Sequence, residues 1–71
     1  MELNERLKKL RKAKNVTQVQ TANGCNMAER AYQRIEAGNK PSYDALIALA
    51  DYFDVSIDYL VGRTDKPEIN K

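Results

Sequence analysis

Four polar side chains between residues 28 and 37 have the chemistry and the spacing to act as one hydrogen-bonding surface. They are Glu29, Arg30, Gln33 and Arg34, and their spacing places them on one face of a helix. A guanidinium presents paired N–H donors, a side-chain amide both donates and accepts, and a carboxylate only accepts. This set suits recognition of planar hydrogen-bonding edges. The alternative is a plain solvated helix face.

The composition excludes several kinds of catalytic and metal site. The chain has no His and one Cys, so it can form neither a Cys/His zinc site nor a His-assisted triad. A disulfide framework is also excluded. We find no nucleophile beside a base and no glycine-rich phosphate loop. We therefore expect no enzyme activity, no catalytic residue, no metal, no cofactor and no small-molecule ligand.

The length and the apolar pattern limit the protein class further. The chain has 71 residues, which is one domain at most. Its longest apolar run, residues 45–50, is far shorter than the roughly 20 residues that a membrane span needs. The first six residues contain no apolar signal core. We expect a cytoplasmic protein without a membrane partner.

Charge is distributed unevenly along the chain although the net charge is only +2. Residues 1–16 carry a net charge of +4, and residues 41–62 carry −4. The basic residues of the first segment are Arg6, Lys8, Lys9, Arg11, Lys12 and Lys14. This asymmetry is typical of a domain that turns one face to a polyanion. Two solvated helix faces of opposite sign are the alternative.

Apolar periodicity and capping residues predict five short helices and no strand. The first runs from about Leu3 to Lys14, with leucines on one face and the basic residues on the other, and Asn15 ends it. The third runs from about Ala28 to Ala37 and ends at Gly38. Its inward positions are Met27, Tyr32 and Ile35.

Hydroxyl side chains mark the starts of the other three helices. The predicted N-caps are Thr17, which forms a capping box with Gln20, and then Ser42 and Ser56. Gly24 and Asn26, which both tolerate positive φ, end the second helix, and Gly62 ends the fifth. The sequence predicts an all-α domain over residues 1–62 and a polar, flexible tail over residues 63–71.

Helices two and three, from Thr17 to Gly38, have the arrangement of a helix-turn-helix. Residues 16–38 read VTQVQTANGCNMAERAYQRIEAG, and this segment resembles the Cro/lambda-repressor-like (XRE) helix-turn-helix family. The residues that match the family pattern are Thr17, Gln18, Ala22, Arg34, Ile35, Glu36 and Gly38. The resemblance extends over about residues 3–62, and it implies a compact five-helix lambda-repressor-like fold.

The resemblance implies a role for each outward residue in binding double-stranded DNA. The third helix would enter the major groove, where the base-contacting residues would be Glu29, Arg30, Gln33 and Arg34. The phosphate-contacting residues would be Thr17, Gln18, Asn39, Lys40 and Tyr43. Arg11 and Glu36 would form a structural ion pair between helices one and three. Ala22 would lie where the two motif helices cross most closely.

The sequence departs from the family pattern at several positions. Thr21 replaces a core leucine, Cys25 lies near the turn where Leu or Ala is usual, and Asn26 replaces the turn glycine. Ala28 replaces the hydroxyl N-cap of the third helix, at a cost of about 0.5–2 kcal/mol. Ala37 replaces the usual polar residue before Gly38. These departures predict a modestly stable domain and open the question of a weakened DNA surface.

The resulting hypothesis is a sequence-specific transcriptional regulator, expected to be a bacterial or phage repressor that binds a palindromic operator. A homodimer would need a surface on helices four and five or on the tail. The apolar residues available for it are Tyr52, Tyr59, Val61 and Ile69. The alternative is a protein-interaction module on the same fold, either antitoxin-like or without DNA binding.

Overall fold

Five helices form the part of the chain that the structure, a computed structural model, describes, residues 2–66. They are α1 (Leu3–Lys14), α2 (Gln18–Gly24), α3 (Glu29–Glu36), α4 (Tyr43–Phe53) and α5 (Ile57–Leu60), and no strand occurs in this range. The prediction of an all-α, five-helix domain is confirmed. The bounds of α1 and α3 lie within one residue of the predicted ones, and α2, α4 and α5 each begin directly after the predicted N-cap residue.

Side-chain caps explain where three of the helices begin. The Thr17 hydroxyl accepts a hydrogen bond from the Gln20 backbone N–H at 3.1 Å, and the Gln20 side chain accepts one from the Thr17 N–H at 2.8 Å. Ser42 accepts from the N–H of Ala45, and Ser56 accepts from the N–H of Tyr59. These bonds satisfy amide groups that have no partner inside the helix.

A residue with positive φ follows each of the five helices. Asn15 has φ 60° after α1, Asn26 has φ 56° in the turn after α2, and Gly38 has φ 114° after α3. Asp54 and Gly62 do the same after α4 and α5. Gly24 is the last residue of α2, as predicted, and its φ is not positive. An added Cβ atom at Gly24 would overlap with the ring of Tyr52.

The core lies where α1 packs against α3, α4 and α5 and where α2 packs against α3. Its fully buried side chains include Leu7, Tyr32, Leu49 and Leu60. Thr21, at the position where the family has leucine, is also fully buried. Its hydroxyl donates to the Thr17 carbonyl oxygen at 2.9 Å, so this polar group has a partner in the core.

Arg6 is an exception to the predicted basic outer face of α1. Its side chain is 5% exposed, its guanidinium lies 3.9 Å from the centre of the Tyr59 ring, and one terminal nitrogen is 3.5 Å from a carboxylate oxygen of Asp65. The guanidinium therefore joins α1 to α5 and to the segment that follows α5. The prediction that Arg6 contributes to the exposed basic face is wrong.

Backbone hydrogen bonds join the start of the segment 63–66 to α5. The backbone N–H groups of Arg63 and Thr64 both donate to the carbonyl oxygen of Asp58. Ile69, which was considered as a dimer contact, lies outside the described residues. Among residues 2–66, no helix has the length and apolar character that crossing a bilayer requires.

Candidate nucleic-acid interface

The turn between α2 and α3 fixes the angle at which α3 is presented. Cys25 is the C-cap residue after α2, Asn26 takes the left-handed conformation, and the backbone N–H of Met27 donates to the Ala22 carbonyl oxygen at 2.9 Å. Ala22 is 1% exposed, so its small side chain lets the helices approach closely. Asn26 supplies the turn conformation for which the family pattern uses glycine.

The two sides of α3 differ sharply. Tyr32, Ile35 and Glu36 are buried against the rest of the domain. The outward residues of the prediction are all exposed, and they are Glu29, Arg30, Gln33 and Arg34. The inward placement of Tyr32 and Ile35 is confirmed, and Met27, just before α3, is half-buried. The structure thus places the four hydrogen-bonding side chains together on one solvent-facing surface.

The polar groups on this face are not all equally free. The Gln33 side-chain amide donates to the Glu29 carboxylate at 3.1 Å, one turn earlier in α3. By contrast, neither Arg30 nor Arg34 forms an ion pair with an acidic residue of the described chain. Both guanidinium groups therefore keep their donors available for an anionic or acceptor-bearing ligand.

Glu29 also has an electrostatic relation to the start of α3. Ala28, in the N-cap position, provides no side-chain hydrogen bond. Glu29 is the first helical residue, and its negative charge interacts favourably with the unpaired N–H groups there. This interaction offsets part of the lost cap.

The predicted phosphate contacts lie at the ends of α2, α3 and α4. Thr17 is committed to its capping box, and the Asn39 side chain donates to the Arg34 carbonyl oxygen at 3.1 Å and so covers the end of α3. Lys40 is exposed, and Tyr43, the first residue of α4, is 73% exposed. Lys40 and Tyr43 are therefore freer to meet a ligand than Thr17 and Asn39.

Gln18, at the start of α2, takes part in an interaction that local sequence does not reveal. Its side-chain nitrogen donates to Glu36 Oε1 at 3.1 Å. The two residues are 18 positions apart and belong to α2 and α3. An amide nitrogen has two hydrogens, so one N–H of Gln18 remains after this bond forms.

Arg11 and Glu36 are paired in the structure. Arg11 Nε donates to Glu36 Oε2 at 2.8 Å, and a terminal nitrogen approaches Oε1 at 3.4 Å. The Glu36 side chain is 3% exposed and that of Arg11 is 19% exposed. Burial alone would raise the pKa of Glu36. The hydrogen bond from Arg11, together with the nearby Tyr32 hydroxyl, the Gln18 amide and the Arg11 charge, outweighs burial and holds this pKa below its usual value.

Burial raises the pKa of two other titratable side chains near the motif. Burial raises the pKa of the Tyr32 hydroxyl, and the nearby Glu36 carboxylate raises it further. Burial also raises the pKa of the Cys25 thiol, which lies 3.7 Å from the Ala48 carbonyl oxygen. Neither group is a reactive anion at neutral pH.

The apolar residues considered for a dimer surface are less exposed than expected. Tyr52 packs against Gly24 and Phe53, and Tyr59 lies under Arg6, so both rings are half-buried, as is Val61. The expectation that these residues are free apolar surface is wrong. Among residues 2–66, the large apolar side chains that are exposed are Val19 at 45% and Tyr43 at 73%.

The two packed motif helices and the five-helix core define a helix-turn-helix domain. The chain belongs to the Cro/lambda-repressor-like (XRE) branch of the helix-turn-helix family, whose profile matches residues 7–60. No solved structure matches the chain significantly.

Three curated relatives carry regulatory names. The chain is 43% identical over 65 residues to the uncharacterized HTH-type transcriptional regulator YobD of Bacillus subtilis, covering 90% of this chain and 58% of YobD. It is 39% identical to the cryptic phage CTXphi transcriptional repressor RstR of Vibrio cholerae, and the match covers 89% of this chain and 57% of RstR. It is 43% identical to the HTH-type transcriptional regulator AnsR of Bacillus subtilis, and the match covers 83% of this chain and 52% of AnsR. The chain thus spans between 52% and 58% of these relatives.

Proposed function

We propose that this chain is a sequence-specific DNA-binding transcriptional regulator that reads the major groove with α3. The observation that carries the proposal is the exposed surface of α3, where Arg30 and Arg34 have no acidic partner among the described residues. The buried side of the same helix is held by Tyr32, Ile35 and Glu36, so the surface is presented on a fixed support. The regulatory names of the relatives agree with this function.

Arg30 and Arg34 are the proposed principal base readers. A guanidinium can donate two hydrogen bonds to the O6 and N7 atoms of guanine, and a good two-point contact contributes about 1–3 kcal/mol of discrimination. Both side chains project from the exposed side of α3, and the major groove is wide enough to admit an α-helix. The predicted roles of Glu29 and Gln33 depend on their mutual hydrogen bond.

The proposed phosphate contacts use side chains around the ends of the motif. Lys40 supplies a charge after α3, and Tyr43 supplies an exposed hydroxyl at the start of α4. Gln18 keeps one N–H while Glu36 holds the other, so the buried ion pair orients the group that would meet a phosphate oxygen. Thr17 and Asn39 would add contacts to those that they already make within the protein.

The acidic part of the domain supports a single orientation on DNA. Its four aspartates are all exposed and lie on or beside α4 and α5, and they are Asp44, Asp51, Asp54 and Asp58. Repulsion between these carboxylates and phosphates disfavours any pose that turns the end of α4 and α5 to the duplex. The exposed basic residues of α3 and Lys40 favour the opposite pose, in which α3 faces the duplex.

We further propose that the protein acts in the cytoplasm as a homodimer on a palindromic operator. One domain of this size contacts few base pairs, and two-fold-related domains would read half-sites about 34 Å apart. Occupancy of an operator that overlaps a promoter would block polymerase and make the protein a repressor. RstR is named a repressor.

The test is selection of bound duplexes from a random DNA pool at about 0.1 M salt, where phosphate contacts alone do not hide sequence preference. We expect enrichment of two half-sites related by two-fold symmetry and separated by about one helical turn. Enrichment of a single half-site would support sequence-specific DNA binding and contradict the proposed homodimer. A folded protein that enriches no sequence would overturn DNA reading and favour the protein-interaction module.

A further inference from the structure

Glu29 and Gln33 form a hydrogen-bonded pair in the middle of the exposed surface of α3. The Gln33 side-chain nitrogen lies 3.1 Å from Glu29 Oε2, and both side chains are exposed. Pairs at this spacing meet on a helix surface because they are one turn apart. The charge of Glu29 is also favoured at the first turn of α3. The hydrogen bond therefore holds the carboxylate beside Gln33, and the start of the helix favours its charged form.

The pair determines which way the Gln33 amide faces. A free glutamine side chain can exchange the positions of its oxygen and nitrogen by rotating half a turn. A carboxylate only accepts hydrogen bonds, so the NH2 end of Gln33 must be turned toward Glu29. One N–H and the carbonyl oxygen then remain, and no donor within residues 2–66 bonds to that oxygen.

One remaining donor beside one acceptor is a specific pattern. Adenine presents N7 as an acceptor and the N6 amino group as a donor in the major groove, whereas guanine presents two acceptors. A Gln33 side chain with one N–H held by Glu29 has too few donors for both guanine acceptors, and its carbonyl oxygen would face guanine O6. The oriented amide therefore matches adenine and disfavours guanine.

We propose that Glu29 is a positioning residue and that Gln33, oriented by it, reads an adenine. This inference rests on the proposed function and refines the roles that were expected for the two residues. Glu29 is then not an independent reader of cytosine. One of its two carboxylate oxygens already accepts from Gln33, and its negative charge opposes a close approach to the phosphates.

The experiment is a double-mutant cycle on the operator that the wild-type protein selects. The affinity ratio between an A·T pair and a G·C pair is measured at each position for the wild type, Glu29→Ala, Gln33→Ala and the double variant. We expect Gln33→Ala to lower the adenine preference at one position about tenfold, which lies within the range for a two-point contact. Glu29→Ala should lower it at the same position by about 1.4- to 2.3-fold.

The coupling between the two substitutions distinguishes a positioning role of Glu29 from a general effect on the structure. In the Gln33→Ala background, Glu29→Ala should cause no further change at that base pair, because there is no amide left to orient. Glu29→Gln should keep part of the preference, since its carbonyl oxygen can accept the same hydrogen bond. Glu5→Ala is the matched control for charge, because Glu5 is also an exposed acid in a first helical turn. It should leave every base preference unchanged.

Three results would overturn the inference. If Glu29→Ala removes a cytosine preference at another base pair, and does so in the Gln33→Ala background too, then Glu29 reads a base itself. If Gln33→Ala changes no position of an operator that the wild type selects, Gln33 is not a reader, while the proposed function stands. A wild-type protein that selects no operator overturns both the proposed function and this inference.

Discussion

The guanidinium of Arg11 and the carboxylate of Glu36 lie 2.8 Å apart and join the last turn of α1 to the last residue of α3. Because Gln18 donates to the same carboxylate at 3.1 Å, the start of α2 is held there as well. Three helices therefore meet at one buried anion. The orientation of the motif relative to the rest of the domain depends on this anion remaining charged and paired.

Arg11→Ala is expected to destabilise the domain by about 2–3 kcal/mol. The substitution leaves the buried Glu36 carboxylate without its cation, and the cost is moderated because the Arg11 side chain is 19% exposed. Urea unfolding followed by circular dichroism measures the change. Lys12→Ala, which removes the same charge from an exposed position of α1, should stay within about 0.5 kcal/mol of wild type. Equal stability of the two variants would contradict the role of the pair.

Acid should remove the contribution of Glu36 to stability. Its pKa in the folded protein lies below the unfolded value of about 4.3, so the unfolded chain binds the proton first as the pH falls. The contribution is complete above the unfolded pKa and is lost as the pH falls through the folded pKa. The free energy of unfolding should therefore drop more steeply in acid for wild type than for Glu36→Gln.

The comparison between wild type and Glu36→Gln cancels the titration of the other carboxylates. The gap between the two proteins should be largest above about pH 5 and should narrow toward about pH 3. Unfolding curves at several pH values provide the test. A gap that stays constant or widens in acid would show that the Glu36 pKa is not lowered by folding.

Interactions between sequence neighbours could be predicted, and contacts between distant residues largely could not. The capping box of Thr17 and Gln20 and the helix ends at Asn15 and Gly38 follow from backbone chemistry within a few residues. The exposed side of α3 follows in the same way from helical spacing. The pairing of Glu29 with Gln33 also has a local signal, because the two residues are four positions apart.

No local sequence signal indicates the contacts of Arg6 and Gly24. The sequence predicts Arg6 as a surface cation, whereas the fold brings Tyr59 and Asp65 to it. The sequence predicts Gly24 only as a helix end, whereas the fold places Tyr52, 28 positions later, against it. The bond from Gln18 to Glu36 likewise depends on the packing of α2 on α3, which the family resemblance indicates only in outline.

Gly24→Ala is expected to destabilise the domain by about 1–2 kcal/mol. Alanine in a helix usually gains about 1 kcal/mol over glycine, but here the added methyl group would overlap with the Tyr52 ring. The overlap outweighs the gain because Tyr52 is half-buried beside Phe53. In a Tyr52→Ala background the same substitution should be neutral or stabilising. A stabilising effect of Gly24→Ala in the wild-type background would contradict the close contact.

Arg34→Ala should relax the base preference of the protein. If Arg34 reads a guanine, its loss weakens binding to the selected operator by about 1–3 kcal/mol and reduces discrimination at one base pair. Binding to random duplex should weaken much less. Titration of both duplexes at one salt concentration measures the difference. Equal losses on operator and random DNA would assign Arg34 to the phosphate backbone.

Lys40→Ala should weaken binding to all duplexes by a similar factor. Lys40 is exposed in the loop after α3, and a lysine that neutralises one phosphate releases about one counterion. The slope of log affinity against log salt concentration should therefore become shallower by about one, with base preferences unchanged. The control is Arg63→Ala, since Arg63 lies 4.0 Å from Asp58 in the acidic part of the domain and its loss should leave the slope as it was. An unchanged slope for Lys40→Ala would remove Lys40 from the phosphate-binding residues, because a charge that does not displace a counterion does not contact the backbone.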